Sequence, residues 1–545
     1  MANNKSPFYP IIYVRGYAMT ARDVNETTAD PFNGFNLGST LLRASASQKE
    51  RPRKFYFESP IIRLASEYGY SDVFEQGLDI IDDNWALDST GQPTGNTLDD
   101  KSVIIYRYYD DASSLLGSGK TPSIEEAATG LSRLLVKVRQ LLLNNPDSGV
   151  KENADFRCYL VAHSMGGLIC RAFLQNAALD PEKMASSVDK FFTYATPHNG
   201  IEVGGLNIPD LPWQSSVTNF NRERMAEYLK LQTVFKKTGR VDVISESCMP
   251  SAKIFTMVGT NRLDYDAAAG LSRTFVGNGS DGLVKIENAT LNGLNKDGSI
   301  GTPCAKAFTY RAHSGYFGIV NSEEAYQNLS RFLFGDVRVD IWFDINDIRL
   351  PQAAIKATDG DASKIDAIYQ VEVIASPRGK PWSLTRRIAE EDSVACLTQA
   401  EWNDKKQASL YLSSVFLSKR ARVKKNRPSL AYSLTLGVKI PDYEIEKRFW
   451  FNEHFEGAYL FRNSLILDIV APPDDKTAWK IKYAWQDAGF ASADIVLQPE
   501  LVNGGGGACE VVVPVKSVTI DASGKERPSV PGISGQLRFK IQSWN

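Results

Sequence analysis

The hydrophobic period of this chain changes once, near Gly335, and that change divides it between two different kinds of fold. Before the change, short β-rich apolar segments alternate with helical patterns, the order that builds a mostly parallel sheet covered by helices. Tyr9–Arg15 and Val103–Tyr109 are nearly all apolar, as expected of strands buried on both faces. Thr121 is positioned to cap a helix, with Pro122 at its first position and Glu125 and Glu126 in its first turn. Leu131, Leu134, Leu135, Val138, Leu141 and Leu142 follow at helical spacing. Arg157–Ala162, Lys190–Ala195, Lys253–Val258 and Lys306–Arg311 read as further strands. Helices are expected from Met165 to about Ala178, and from Asn321 or Ser322 to near Gly335.

After Gly335 the period is two. Val337, Val339, Ile341, Phe343 and Ile345 alternate with more polar residues, as do Tyr432–Ile440 and Trp479–Trp485. Further strands are expected at 369–375, 410–417, 464–470, 509–515 and 535–543. Half-buried strands separated by turn-rich spacers point to an antiparallel sandwich. With 545 residues the chain exceeds the roughly 300 that one core sustains, so two domains are expected, 1–336 and 337–545. Two segments, near 18–100 and 200–250, interrupt the first domain's alternation and are too long for structureless loops; extra helices over the sheet's functional edge are expected there. In the second segment Met225, Tyr228, Leu229, Leu231 and Phe235 recur at helical spacing, which suits a pocket lining, a lid or plain packing.

Composition removes several classes of function. A formal net charge of -2 gives no global attraction to nucleic acid. The six cysteines are scattered without any metal-ligand spacing, so neither a zinc site nor any other metal site is expected. Cys158 and Cys170 lie in apolar runs and read as small buried hydrophobes, while a Cys248–Cys304 disulfide is left open. The N-terminal residues run directly into a strand without a signal-peptide pattern, and no run approaches the roughly 20 apolar residues of a membrane span. The expectation is a soluble protein, cytoplasmic or exported without a recognisable signal peptide.

The chemistry-bearing segment is Leu160-Val161-Ala162-His163-Ser164-Met165-Gly166-Gly167, where strand, turn and helix meet. A sharp strand-to-helix turn lifts a serine hydroxyl out of a sheet and needs small residues two positions either side, here Ala162 and Gly166. Ser164 then sits at a helix N-terminus, where the Met165 N–H can stabilise developing negative charge. A partner base must be a histidine, and the chain has four. His163 is adjacent to Ser164 and points differently; His454 lies in the second domain. His198 follows the strand after the serine helix, in Ala195-Thr196-Pro197-His198-Asn199-Gly200. His313 follows the last strand and precedes the final helix, where a loop can carry it to a serine at the top of the sheet. The third partner is a carboxylate that fixes the imidazole tautomer. Asp281, in Ser280-Asp281-Gly282-Leu283-Val284, is one candidate, and Asp264 and Asp266, nearer the end of the preceding strand, are its competitors.

These segments resemble α/β-hydrolase lipases and esterases over about residues 9–335, with Ala162 in place of the usual first glycine of the nucleophile elbow. The pattern HSMGG with ATPHNG is also similar to GPI inositol deacylases and lecithin:cholesterol acyltransferases. The resemblance implies an α/β-hydrolase fold, a mostly parallel sheet flanked by helices, followed here by the all-β sandwich-like C-terminal domain. It implies Ser164 as nucleophile, His313 as base, Asp281 through a D-G-x-V segment as acid, and His198 as part of the site's rim. The usual H-G-x loop after the first strand corresponds to Arg15-Gly16-Tyr17, making the Tyr17 N–H the second oxyanion donor beside Met165. The implied activity is carboxylic ester hydrolysis through an acyl-enzyme, without a cofactor; HSGYFG lacks the aspartate that places calcium in some bacterial lipases. A phospholipase or lipid acyltransferase working at membranes is the alternative, motivated by Lys419, Arg420, Arg422, Lys424, Lys425 and Arg427 between two expected strands. A third reading, a binding or adhesion protein with a vestigial site, is disfavoured by the intact set of Ser164, Asp281 and His313.

Overall fold

The structure, a computed structural model, describes residues 8–16, 39–43, 53–57, 60–73, 90–92, 95–106, 108, 122–203, 206–207, 219–263, 279–315, 318–388, 396–422, 425–445, 453–472, 479–486, 495–497, 500–501 and 508–544. The chain divides into two compact units, Met1–Leu333 and Phe334–Asn545.

In the first unit seven strands form one sheet: β1 (Ile11–Val14), β2 (Ser71–Asp72), β3 (Ser102–Tyr106), β4 (Cys158–His163), β5 (Val188–Tyr194), β6 (Ile254–Gly259) and β7 (Ala305–Thr309). Their order is β7-β6-β5-β4-β1-β3-β2, and every neighbouring pair is parallel. Arg15, Arg157, Lys253 and Arg311, expected at strand ends, fall just outside the strands, whereas Lys190 and Lys306 lie within β5 and β7.

Among the described residues six helices accompany the sheet: α1 (Pro60–Tyr68), α2 (Ile124–Leu143), α3 (Met165–Gln175), α4 (Arg222–Tyr228), α5 (Gln232–Thr238) and α6 (Glu323–Phe334). One face of the sheet, carrying Ile12, Val14, Leu160, Ala162, Phe191 and Ile254, shares a core with α2 and α3. Residues one position on point the other way, where Phe192 stacks on Phe255 and both meet Phe332 of α6. This is the expected α/β-hydrolase architecture, a parallel sheet with helices against both faces.

Two helix ends differ from the sequence reading. Ser123, not Thr121, caps α2: its Oγ accepts the Glu126 N–H at 3.1 Å while the Glu126 carboxylate accepts the Ser123 N–H at 2.8 Å. That reciprocal pair needs a carboxylate three residues after the cap, and from Thr121 the third residue is Ile124. Thr121 itself lies outside the described residues. Helix α3 stops at Gln175 rather than near Ala178, because Asn176 leaves helical backbone and its side chain accepts the Ala178 N–H of a following 3-10 turn.

The two inserted segments are only partly described. The first contributes a hairpin, Ser39–Arg43 paired with Arg53–Phe57, and helix α1. In the second, Met225, Tyr228, Leu229 and Leu231 are buried in the same core as the sheet, with Phe235 packed against it. Of the roles the sequence left open for these residues, plain packing is the one observed. A small sheet of Val243–Ser245, Asn292–Leu294 and Ile300–Pro303 was not anticipated; strands of three or four residues carry too little period to be read.

The second unit is antiparallel throughout its described strand pairs. Val337–Arg349 pairs with Ala408–Leu417 and Gly532–Ser543, and Ile365–Pro377 with Leu430–Lys439, which in turn pairs with Tyr459–Val470. Val339, Ile341 and Phe343 of the first sheet and Tyr369, Val371 and Val373 of the second belong to one fully buried core, so the two sheets form a sandwich.

Candidate active site

The strand order reverses at β1, which lies between β3 and β4, and in open parallel sheets the crevice at such a reversal is where ligands bind. Ser164 stands at that edge, between the last residue of β4 and the first of α3. Its backbone has φ 50 and ψ -125, a conformation that a residue with a Cβ adopts only when its surroundings impose it. The Ser164 N–H donates to the Tyr194 carbonyl at 2.9 Å, and the Ser164 carbonyl accepts the Gly167 N–H at 3.0 Å. Two glycines make the bend sterically possible. A Cβ on Gly166 would lie 2.3 Å from the Val14 carbonyl oxygen, and one on Gly16 would lie 2.7 Å from the Ser164 Cβ. Helix α3 thus closes on the backbone at the end of β1, and the loop after β1 closes on the Ser164 side chain.

His313 comes from the loop after β7. Its Nε2 is 2.9 Å from Ser164 Oγ, and its Nδ1 is 2.9 Å from Asp281 Oδ2. Asp281 lies over the end of β6, where a Cβ on Gly259 would meet its own Cβ at 2.9 Å. Its other oxygen, Oδ1, accepts the N–H groups of Leu283 at 3.0 Å and Val284 at 2.8 Å, and its carbonyl accepts the His313 N–H at 3.0 Å. Ser164, Asp281 and His313 are 6%, 1% and 3% exposed, so the row is shielded from bulk water. A carboxylate can only accept, so the Nδ1 carries the proton and the Nε2 lone pair faces the serine hydroxyl.

The sequence-predicted residues are thus unequally treated. Ser164, His313 and Asp281 are brought into one line, and Met165 is the first residue of α3, where the amide has no acceptor within the helix. Tyr17, Asp264 and Asp266 lie outside the described residues. The loop that leads to Tyr17 is anchored by Tyr108, whose hydroxyl donates to the Arg15 carbonyl at 2.8 Å, a contact no sequence pattern announces. His198 is fully buried: its Nε2 is 3.2 Å from Thr193 Oγ1 and its carbonyl accepts from Arg171. Burial, aided by the Arg171 charge, holds its pKa well below the ordinary 6.5. His454 falls in the strand Glu453–Glu456 of the second unit.

His163, set aside as a base, has a partner that no sequence pattern signals. Its Nε2 lies 2.9 Å from the His313 carbonyl oxygen. Burial, reinforced by His313 and Arg15, pushes its pKa well below 6.5. The Cys158 and Cys170 thiols are buried and raised by desolvation, as inert core cysteines are, and Cys248 and Cys304 form no disulfide. Among the described residues, no group of three or more His, Cys, Asp or Glu side chains is arranged to hold a metal ion, and no helix is long and apolar enough to cross a membrane.

No protein-family model matches the chain, and no curated protein matches it. Solved structures that match include the mature form of a Bacillus licheniformis lipase, BlEst2, at 12% identity and a TM-score of 0.28, covering 61% of this chain and 95% of that one. Another is the product of gene lin2722 from Listeria innocua, at 11% identity and a TM-score of 0.26, covering 60% of this chain and 93% of that one.

Proposed function

We propose that this chain is a serine carboxylic ester hydrolase that works through an acyl-enzyme on Ser164. The observation that carries the reading is the pair of 2.9 Å contacts in series, Ser164 Oγ to His313 Nε2 and His313 Nδ1 to Asp281 Oδ2, at a sheet's point of reversal. In the first step His313 Nε2 takes the hydroxyl proton as Ser164 Oγ attacks the ester carbonyl carbon. The C–O bond to the alcohol then breaks, and the alcohol leaves with that proton. A water molecule, deprotonated by the same nitrogen, attacks the acyl-serine; the acid is released and the proton returns to Oγ. Asp281 holds the imidazole in the required tautomer and stabilises the imidazolium that forms. The Met165 N–H, at the positive end of α3, faces the carbonyl oxygen as it gains charge, and the Tyr17 N–H is the second donor in this reading.

The substrate is a small ester or a lipid. Hydrolysis of a phospholipid, or transfer of its acyl group to an acceptor other than water, is a second reading of the same site. It is favoured by the exposure of Lys419, Arg420, Lys425 and Arg427 on the connection between Ala408–Leu417 and Leu430–Lys439, where anionic head groups could be attracted. Lys424 lies outside the described residues. The experiment is hydrolysis of an acyl-length series of p-nitrophenyl esters beside phospholipid vesicles, with Ser164→Ala as control. Turnover should fall on the order of 10⁵- to 10⁶-fold in that variant. Turnover that survives Ser164→Ala would sink the reading, and the preferred arm of the series separates small ester from phospholipid.

A further inference from the structure

We infer that His163 is a positioning residue: its Nε2–H, donated to the backbone carbonyl of His313, holds the base in line with Ser164. The inference rests on the acyl-transfer reading above and adds a residue to it. The acceptor is a carbonyl oxygen, which has no proton to give, so the 2.9 Å contact requires the hydrogen on His163 Nε2 and leaves Nδ1 bare. His313 is thereby held at four polar groups. Asp281 takes its Nδ1–H and, through the Asp281 carbonyl, its backbone N–H; Ser164 meets its Nε2; His163 takes its carbonyl.

The same imidazole reaches the opposite wall of the site. A Cβ on Gly16 would lie 3.2 Å from His163 Nδ1, so the ring spans from the loop after β1 to the loop after β7. An aliphatic side chain could fill that space but could not donate, and the buried His313 carbonyl would lose a partner. A lysine or arginine could donate but would bring a charge. The two rings are 5.0 Å apart, and a fixed positive charge there would oppose the imidazolium that His313 must become during turnover. A histidine kept neutral by burial donates without charge, which is what the position requires.

Two substitutions and one spectroscopic measurement test this. His163→Phe keeps a ring and removes the donor; His163→Gln keeps an N–H near the place of Nε2. Since the base acts in the transition state, His163→Phe should lower kcat for a p-nitrophenyl ester on the order of 10- to 100-fold with KM within about two-fold, and His163→Gln should recover most of the loss. Equal kcat in His163→Phe and the unsubstituted chain, or equal losses in the Phe and Gln variants, would overturn the inference. If His163→Phe does not fold, ¹⁵N-histidine NMR of the unsubstituted chain decides: His163 should remain in the neutral Nε2–H tautomer from pH 8 to pH 5.5. A signal that titrates in that range, or an Nδ1–H tautomer, overturns it as well. An unsubstituted chain without esterase activity, or a Ser164→Ala variant with full activity, instead removes the underlying reading and leaves the NMR result standing on its own.

Discussion

The row of Ser164, His313 and Asp281 in the first unit and the cluster around Arg338 and Asp340 in the second are both buried polar networks, and they differ in how they are built. Arg338 and Asp340 are 3% and 4% exposed and sit two apart on one strand, Val337–Arg349. The Arg338 Nε meets both Asp340 oxygens, at 3.0 and 2.9 Å; Asp340 Oδ1 also accepts from Tyr411 at 3.1 Å and Ser414 at 2.6 Å. The guanidinium carbon lies 5.8 Å from the Phe416 ring and 5.7 Å from the Trp544 ring. The charges there are opposite, adjacent and surrounded by donors on unstrained backbone. The first network instead joins side chains from three separate loops, and the Ser164 hydroxyl in it belongs to a residue at φ 50 and meets the His313 Nε2. Strained backbone and a hydroxyl aimed at an imidazole are what the proposed chemistry would need and what the Arg338–Asp340 cluster lacks.

The comparison breaks first at Asp281. An asparagine there keeps the shape but can present an N–H to His313 Nδ1 and so favour the wrong tautomer. Asp281→Asn should lower kcat by about 10⁴-fold while thermal stability changes little. A variant within ten-fold of the original would mean that Asp281 is only a loop anchor, as its bonds to the Leu283 and Val284 amides would allow.

The converse holds for Asp340, where a change should cost stability and leave chemistry alone. Asp340→Ala strands a buried guanidinium, a loss of about 3–5 kcal/mol, whereas removing both charges, as Arg338→Met with Asp340→Leu, should be close to neutral. Differential denaturation measures both. Each soluble variant should keep the esterase turnover of the original per folded molecule. If the double variant is as damaged as the single one, the ion pair is not the source of the loss.

How far these networks could be read in the sequence depends on the distance over which their cause acts. The Ser164 turn is local: strand, serine and Gly166 lie within a few residues, and the structure has the bend there. The ends of α2 and α3 were misjudged because Ser123 and Asn176 act through single side-chain bonds that the hydrophobic period does not register. His163 is excluded as the base by its place next to Ser164, but its contact with the His313 carbonyl is illegible in sequence because 150 residues separate the two. Period two assigned Val337, Val339 and Ile341 to the core but could not tell that Tyr411, Phe416 and Trp544 would cover Arg338 and Asp340 on the other face. The short strands Val243–Ser245, Asn292–Leu294 and Ile300–Pro303 had no period to read at all.

Acid sharpens the contrast between the units. His163 and His198 both have folded pKa values well below 6.5, with burial as the main cause. Their unfolded forms take up protons as pH falls through 6.5, and the folded unit does not. The stability they permit is therefore complete above about pH 6.5 and is lost as pH drops below it, until the folded pKa is reached. The slope is roughly 1.4 kcal/mol per pH unit for each group, so the pair approaches about 2.7 kcal/mol per pH unit. The second unit has one histidine, His454. Hydrogen exchange at pH 7.0, 6.0 and 5.5, corrected for intrinsic rates, should show protection falling in β4 and β5 before it falls in Val337–Arg349. Parallel loss in both units would mean that carboxylates common to both set the acid limit. Loss confined to the first unit, and reduced in His198→Gln, would tie it to imidazoles that must stay neutral. For His163 that neutrality is also what keeps a second positive charge away from the base.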